Sequence, residues 1–129
     1  IVQIEDAMRD NQHYRRVLFT AKHSQLVLMN LKPGEEIGEE VHGMDQFIRF
    51  EEGEGTVVLD GEKHAVSDGF AVVIPAGTRH NVVNSGKTAA LKLYSLYSPP
   101  EHKDGIIHKT KQEADADHDH HFDGRTSMK

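Results

Sequence analysis

The sequence predicts an all-β domain, with short strands closed into a sandwich or barrel and short helical or irregular segments at the two ends. Three observations lead there. Short runs of apolar and β-branched residues follow one another through the middle of the chain, between Leu26 and Tyr97. Strong turn signals separate them, at Pro33-Gly34, Asp60-Gly61, Pro75-Ala76-Gly77 and Pro99-Pro100. Helical patterning is confined to residues 5–11 and 111–117. With 129 residues there is room for one compact domain. A domain of that size buries about two-thirds of its unfolded surface and needs no staples.

The elements are expected in this order. Residues 26–31 form an apolar strand that ends at Pro33-Gly34. Residues 46–50 are rich in aromatic and β-branched side chains. Residues 56–59 run into Asp60-Gly61, a strong hairpin turn. Residues 70–74 stop at Pro75, residues 81–84 make a short strand, and residues 89–97 form the longest run. The barrel is accordingly expected over residues 26–98. Residues 1–25 then form an N-terminal segment packing on it, and residues 99–129 a C-terminal strap and an acidic, histidine-containing tail.

Composition removes whole classes of function. There is no cysteine, so disulfides, thiolate metal sites and cysteine nucleophiles are excluded. The net charge is −6, which argues against nucleic acid as the partner. No apolar run is long enough to span a membrane, and no signal-peptide pattern is visible, so the cytoplasm is the expected compartment. Ten histidines are the compositional oddity. Several lie in the tail, around His118, His120 and His121, where a solvated acidic terminus is the expectation. His102 and His108 flank Asp104-Gly105 in a segment that is a candidate strap over the barrel mouth.

Two segments carry the chemistry, residues 34–53 and 69–84. In the first, Glu40 and His42 are two apart and would share one face of a strand. A turn at Gly43-Met44-Asp45 would return Gln46 to the same pocket. In the second, Pro75-Ala76-Gly77 makes a turn and His80 opens the next strand. Together Glu40, His42, Gln46 and His80 offer one carboxylate, two imidazoles and one amide oxygen. Such a set suits one divalent transition-metal ion: Fe, Mn, Ni, Co or Zn. The plainer alternatives are barrel histidines, surface charge at Glu40, and a Gln46 that orients His42. Ile48, Phe50, Val82 and Leu93 share inward parity and are expected to wall the pocket. Arg79 should point outward. Lys92, Tyr94, Tyr97 and His64 are unplaced proton donors, and His13 and His23 carry no readable signal.

These segments resemble the two signature motifs of the cupin superfamily. The first motif reads G-x5-H-x-H-x3-E-x6-G, and here Gly34, Glu40, His42, Gln46 and Gly53 fall at those intervals. The second reads G-x5-P-x-G-x2-H-x3-N, and here Gly69, Pro75, Gly77, His80 and Asn84 match every interval. Two positions depart: Glu40 stands where the family has its first histidine, and Gln46 where it has glutamate. The resemblance implies a small single-domain jelly-roll barrel, a homodimer, and a metal at the barrel mouth. It also implies a small-molecule substrate, with oxidase or dioxygenase chemistry or a Lewis-acid isomerisation. A binding or sensing module without turnover is the second expectation, and a metal-free isomerase or cyclase with His42 or His80 as base the third. Gly53 and Gly77 are expected at positive φ, and Asn84 is expected to close a turn.

Overall fold

The computed structural model describes residues 1–128. It is an antiparallel two-sheet barrel. The larger sheet contains β1 (Arg15–Thr20), β2 (Gln25–Leu31), β3 (Asp45–Glu52), β6 (Ala71–Ile74), β8 (Leu91–Ser98) and β9 (Ile107–His108), in the order β6-β3-β8-β2-β1-β9. The smaller sheet is β5-β4-β7, from β4 (Glu54–Leu59), β5 (Glu62–Ser67) and β7 (His80–Val83). Helices α1 (Ile4–Asp10) and α2 (Lys111–Ala116) stand at the ends of the chain.

The core lies between the sheets, and strand alternation builds it. Val27, Met29 and Leu31 point inward from β2, Ile48 and Phe50 from β3, Val57 from β4, Val82 from β7, and Leu91 and Leu93 from β8. Burying each such side chain is worth about 1.5–3 kcal/mol. Helix α1 lies against β8, where the Lys92 ammonium donates to the Arg9 carbonyl. Gln3 caps this helix by accepting from the Glu5 and Asp6 amides.

Two glycines are required by shape. At Gly53, φ is +93°, and a Cβ would stand 2.4 Å from the Ala90 carbonyl oxygen. Gly77, at φ +86°, turns the chain after Pro75 so that His80 can start β7. Asn84 closes the loop after β7. Its amide nitrogen donates to the Leu31 and Ala89 carbonyls and its oxygen accepts from Gly86. Asp60 and Gly61 both have positive φ, as the tight hairpin between β4 and β5 demands.

The sheet begins earlier than residue 26. β1 pairs along β2, so residues 15–20 are part of the sheet and not a segment lying on it. Their sequence opens with two arginines, which hides the inward alternation of Arg15 and Val17. β5 likewise carries no apolar run, because most of its side chains are exposed.

Candidate functional site

Both sheets and one loop contribute to a single inner cavity of about 10 Å³, lined by Ile37, Gly38, Glu40, His42, Gln46, His80, Val82 and Tyr97. All four residues expected to converge are there. The mechanism of convergence is backbone pairing. Glu40 and His80 exchange both amide hydrogen bonds, at 2.8 and 2.9 Å, which seats the loop after β2 beside β7. The His42 carbonyl accepts from the Gly77 amide, tying the loop to the Pro75 turn. Gln46 faces in from β3 with Tyr97 as its partner across to β8.

The side chains are held individually. His80 donates from Nδ1 to the Thr78 carbonyl at 2.9 Å, so Nε2 is the ring atom left with its lone pair. The Gln46 amide nitrogen donates to Ser95 Oγ at 3.1 Å, while its oxygen is buried without a partner. His42 Nε2 lies 3.0 Å from Glu40 Oε2, and Nδ1 lies 3.7 Å from Glu101 Oε2. Burial opposes charge on both partners of the Glu40–His42 pair. Their mutual hydrogen bond and attraction outweigh it, holding His42 above and Glu40 below their ordinary pKa values. Burial also pushes the Tyr97 phenol far up, so it stays protonated. Among the described residues, no three His, Cys, Asp or Glu side chains are gathered so as to hold a metal ion. The His42 nitrogen that would coordinate is engaged by Glu40 instead.

Of the expected pocket wall, only Val82 lines this cavity. Ile48, Phe50 and Leu93 are in the core cluster, where they support the floor without facing it. Arg79 points outward and pairs with Glu39 at 3.0 Å. Of the unplaced proton donors, Tyr97 belongs to the site. Lys92 lies near Glu52, Tyr94 packs near Phe47, and His64 is exposed on β5.

The tail is largely exposed, as expected of an acidic terminus, but it is docked on the barrel by backbone hydrogen bonds. The Phe122 amide donates to the Glu101 carbonyl and the Lys103 amide to the His120 carbonyl. His102 and His121 form a β-bridge. His102 is buried, with its Nδ1 3.1 Å from His120 Nδ1, and His121 Nδ1 lies 3.2 Å from Glu101 Oε1. Burial, then the charge of Arg15, depresses the pKa of both His102 and His120. A second, open cavity of about 320 Å³ lies under this strap. It is lined by Tyr14, Arg15, residues 37–40, Ala114, Asp115, Asp117, His118, His120 and His121. It shares Ile37, Gly38 and Glu40 with the inner cavity and adjoins it on the outer side as a vestibule, with those residues as the partition. Sequence reasoning missed Arg15, Glu101, His120 and His121 as site residues. The one available signal was the density of histidines after Pro100.

Comparison with known proteins agrees with this architecture. The uncharacterized protein YrkC of Bacillus subtilis is 46% identical over 126 residues, which cover 92% of this chain and 67% of that protein. The crystal structure of BH2720 from Bacillus halodurans superposes with a TM-score of 0.88 at 45% identity, covering 91% of this chain and 93% of that one. An RmlC-like cupin from Shewanella frigidimarina shares the fold at 24% identity, with a TM-score of 0.61 over 66% of this chain and 74% of its own. No helix is long and apolar enough to cross a membrane among the described residues. The cupin-domain family model matches residues 27–97, more than half of the chain, and this protein belongs to the cupin family.

Proposed function

We propose that this cupin holds one divalent transition-metal ion (Mn, Fe, Ni, Co or Zn) with Glu40, His42, Gln46 and His80, and acts on a small organic molecule admitted through the vestibule. The observation that carries the reading is the buried, unpartnered Gln46 oxygen, which lines a one-atom cavity with two imidazoles and a carboxylate. Leaving such an acceptor unsatisfied costs about 1–3 kcal/mol, and a cation removes that cost. The donor set, mixed nitrogen and oxygen, is of the kind such an ion takes, and binding would require His42 to turn from Glu40 and the side chains to close up. Bound there, the ion would polarise a substrate oxygen, for isomerisation or for oxidation by O₂.

The chain's own residues do the rest. Thr78 fixes the His80 tautomer. Tyr97 and Val82 exclude water from the inner cavity. Glu40 lines both cavities, so its carboxylate faces a molecule in the vestibule as well as the ion position.

Elemental analysis of protein purified without a nickel column tests this. The wild type should carry near-stoichiometric metal. His80→Ala should lose at least about tenfold in metal content, while deletion of residues 112–129 should leave the ion bound. Protein that takes up none of the five metals when each is offered overturns the reading. That result would favour a metal-free isomerase or cyclase, a reading supported by the His42 ring held between Glu40 and Glu101.

A homodimer is part of the proposal. Phe19, Leu26, Leu96, Phe47 and Val73 are successive cross-strand neighbours on the outer face of the larger sheet, and Phe19, Leu96 and Val73 are exposed. An apolar stripe crossing five strands is a surface that a second copy would cover. Sedimentation should give a dimer, and Leu96→Glu a monomer.

A further inference from the structure

We infer that Arg15 is the anchor for a carboxylate group on the molecule that occupies the vestibule. This inference deepens the proposed function and rests on the same cavity serving as the substrate site.

Arg15 stands on β1 and is only 7% exposed. Its guanidinium is a fixed positive charge with five donors. Its Nη1 donates to His108 Nδ1 at 3.1 Å, and His108 Nε2 donates to Asp117 Oδ2 at 2.9 Å. A histidine that accepts at one nitrogen and donates at the other is neutral, so the Asp117 carboxylate reaches the arginine only through that ring and touches no guanidinium nitrogen. Among the described residues, no carboxylate forms a salt bridge with Arg15, and its buried Nε has no partner.

Each of the vestibule's carboxylates already has a hydrogen-bonding partner. Glu39 is bound by Arg79 at 3.0 Å, Glu40 by His42 at 3.0 Å, Asp115 by Lys111 at 3.0 Å and Asp117 by His108 at 2.9 Å. Among the described residues lining the cavity, Arg15 is the charged side chain with no direct ion pair; its guanidinium lies over the Tyr14 ring, 5.4 Å from the centroid. Burying a charge without a counterion is costly, and a ligand that supplies one recovers the cost on binding. The planar guanidinium fork matches a carboxylate in a two-bonded arrangement. Four carboxylates around the cavity favour a ligand group with a single negative charge over a phosphate dianion. At about 320 Å³ the vestibule is at the small end of ligand sites, which sets the class as a small carboxylic acid. Its carboxylate would sit at Arg15, and the rest of the molecule would extend past Glu40 toward the inner cavity. His108 and Asp117 are positioning residues that aim the guanidinium.

The test is a titration followed by the Arg15 Nε–H signal in nitrogen-labelled protein. The probes are butyrate, its neutral isostere butyramide, and inorganic phosphate, each added to metal-loaded and chelator-stripped protein. Butyrate should bind at least tenfold more tightly than butyramide or phosphate, and equally in both forms of the protein. In Arg15→Met, followed by backbone amide shifts of the vestibule, butyrate affinity should fall at least tenfold with metal content unchanged. Arg15→Lys should lie between. Equal binding of butyramide, tighter binding of phosphate, or loss of butyrate on stripping each overturns the inference. Should Arg15→Met fail to fold, the butyrate-to-butyramide ratio in the wild type and in Arg15→Lys still decides. A protein that carries no metal yet binds butyrate through Arg15 would refute the metal reading and leave this one standing.

Discussion

The floor of the site and its C-terminal wall face the same space and are held by different forces. Gln46 and His80 stand on strands of opposite sheets, with Ile48, Phe50, Val82 and Leu93 packed in the core around them at 1% exposure or less. The wall buries mainly polar side chains: Glu101, His102 and His108, with Ala114. Its contacts are hydrogen bonds between segments distant in sequence, such as Gln25 donating to the His102 carbonyl and accepting from the His102 amide. Apolar burial is non-directional and tolerant, so the floor shares the stability of the whole barrel. A polar wall depends on every partner being present, and each lost partner strands another group.

That contrast can be broken or sharpened by measurement. Phe50→Ala removes a fully buried ring beneath the floor and should cost about 3–5 kcal/mol in denaturant unfolding. Floor and barrel should then melt in one transition, and separate transitions would refute the shared support. Acid should strike the wall first. His102 is buried neutral with its pKa pushed below the ordinary 6.5. Below about pH 6.5 the unfolded chain therefore binds a proton that the folded chain refuses, and stability falls as pH falls. Between pH 6.5 and 5 the loss should reach up to about 2 kcal/mol, and His102→Phe should flatten the slope. An unchanged slope in that variant would place the acid sensitivity elsewhere. The smallest effect is expected from Glu101→Gln. The Glu101 charge supports protonated His42, so the variant should lower the His42 pKa, read by NMR titration, without changing the melting temperature appreciably. An unmoved His42 pKa would mean that the 3.7 Å approach is without electrostatic consequence.

The same contrast explains what the sequence revealed. Strands β2, β3, β4, β6, β7 and β8 announce themselves by apolar runs and by Pro and Gly at their ends, because burial between sheets imposes that pattern. Glu40, His42, Gln46 and His80 were legible through spacing, since glycines and Pro75 fix the turns that bring them together. Arg15 was hidden, because a buried arginine at the start of a strand reads as surface charge. The strap was hidden for a related reason. Its buried groups are histidines and carboxylates whose partners lie elsewhere in the chain, so no local periodicity marks them. Ile48, Phe50 and Leu93 had the right parity but the wrong depth: alternation tells which face a residue takes, not how far it lies from the opening.

The strap's docking has a temporal consequence. Its hold across the open vestibule combines side-chain bonds with a few backbone bonds, from Lys103 to His120 and from Phe122 to Glu101, and Ser127 is latched onto Thr20 beyond them. Such a segment can open locally at a free energy well below that of the barrel. On gentle warming, amide protection in the strap should therefore fade before the sheets lose their order and return on cooling, so strap release and melting become two separate temperatures in one small molecule.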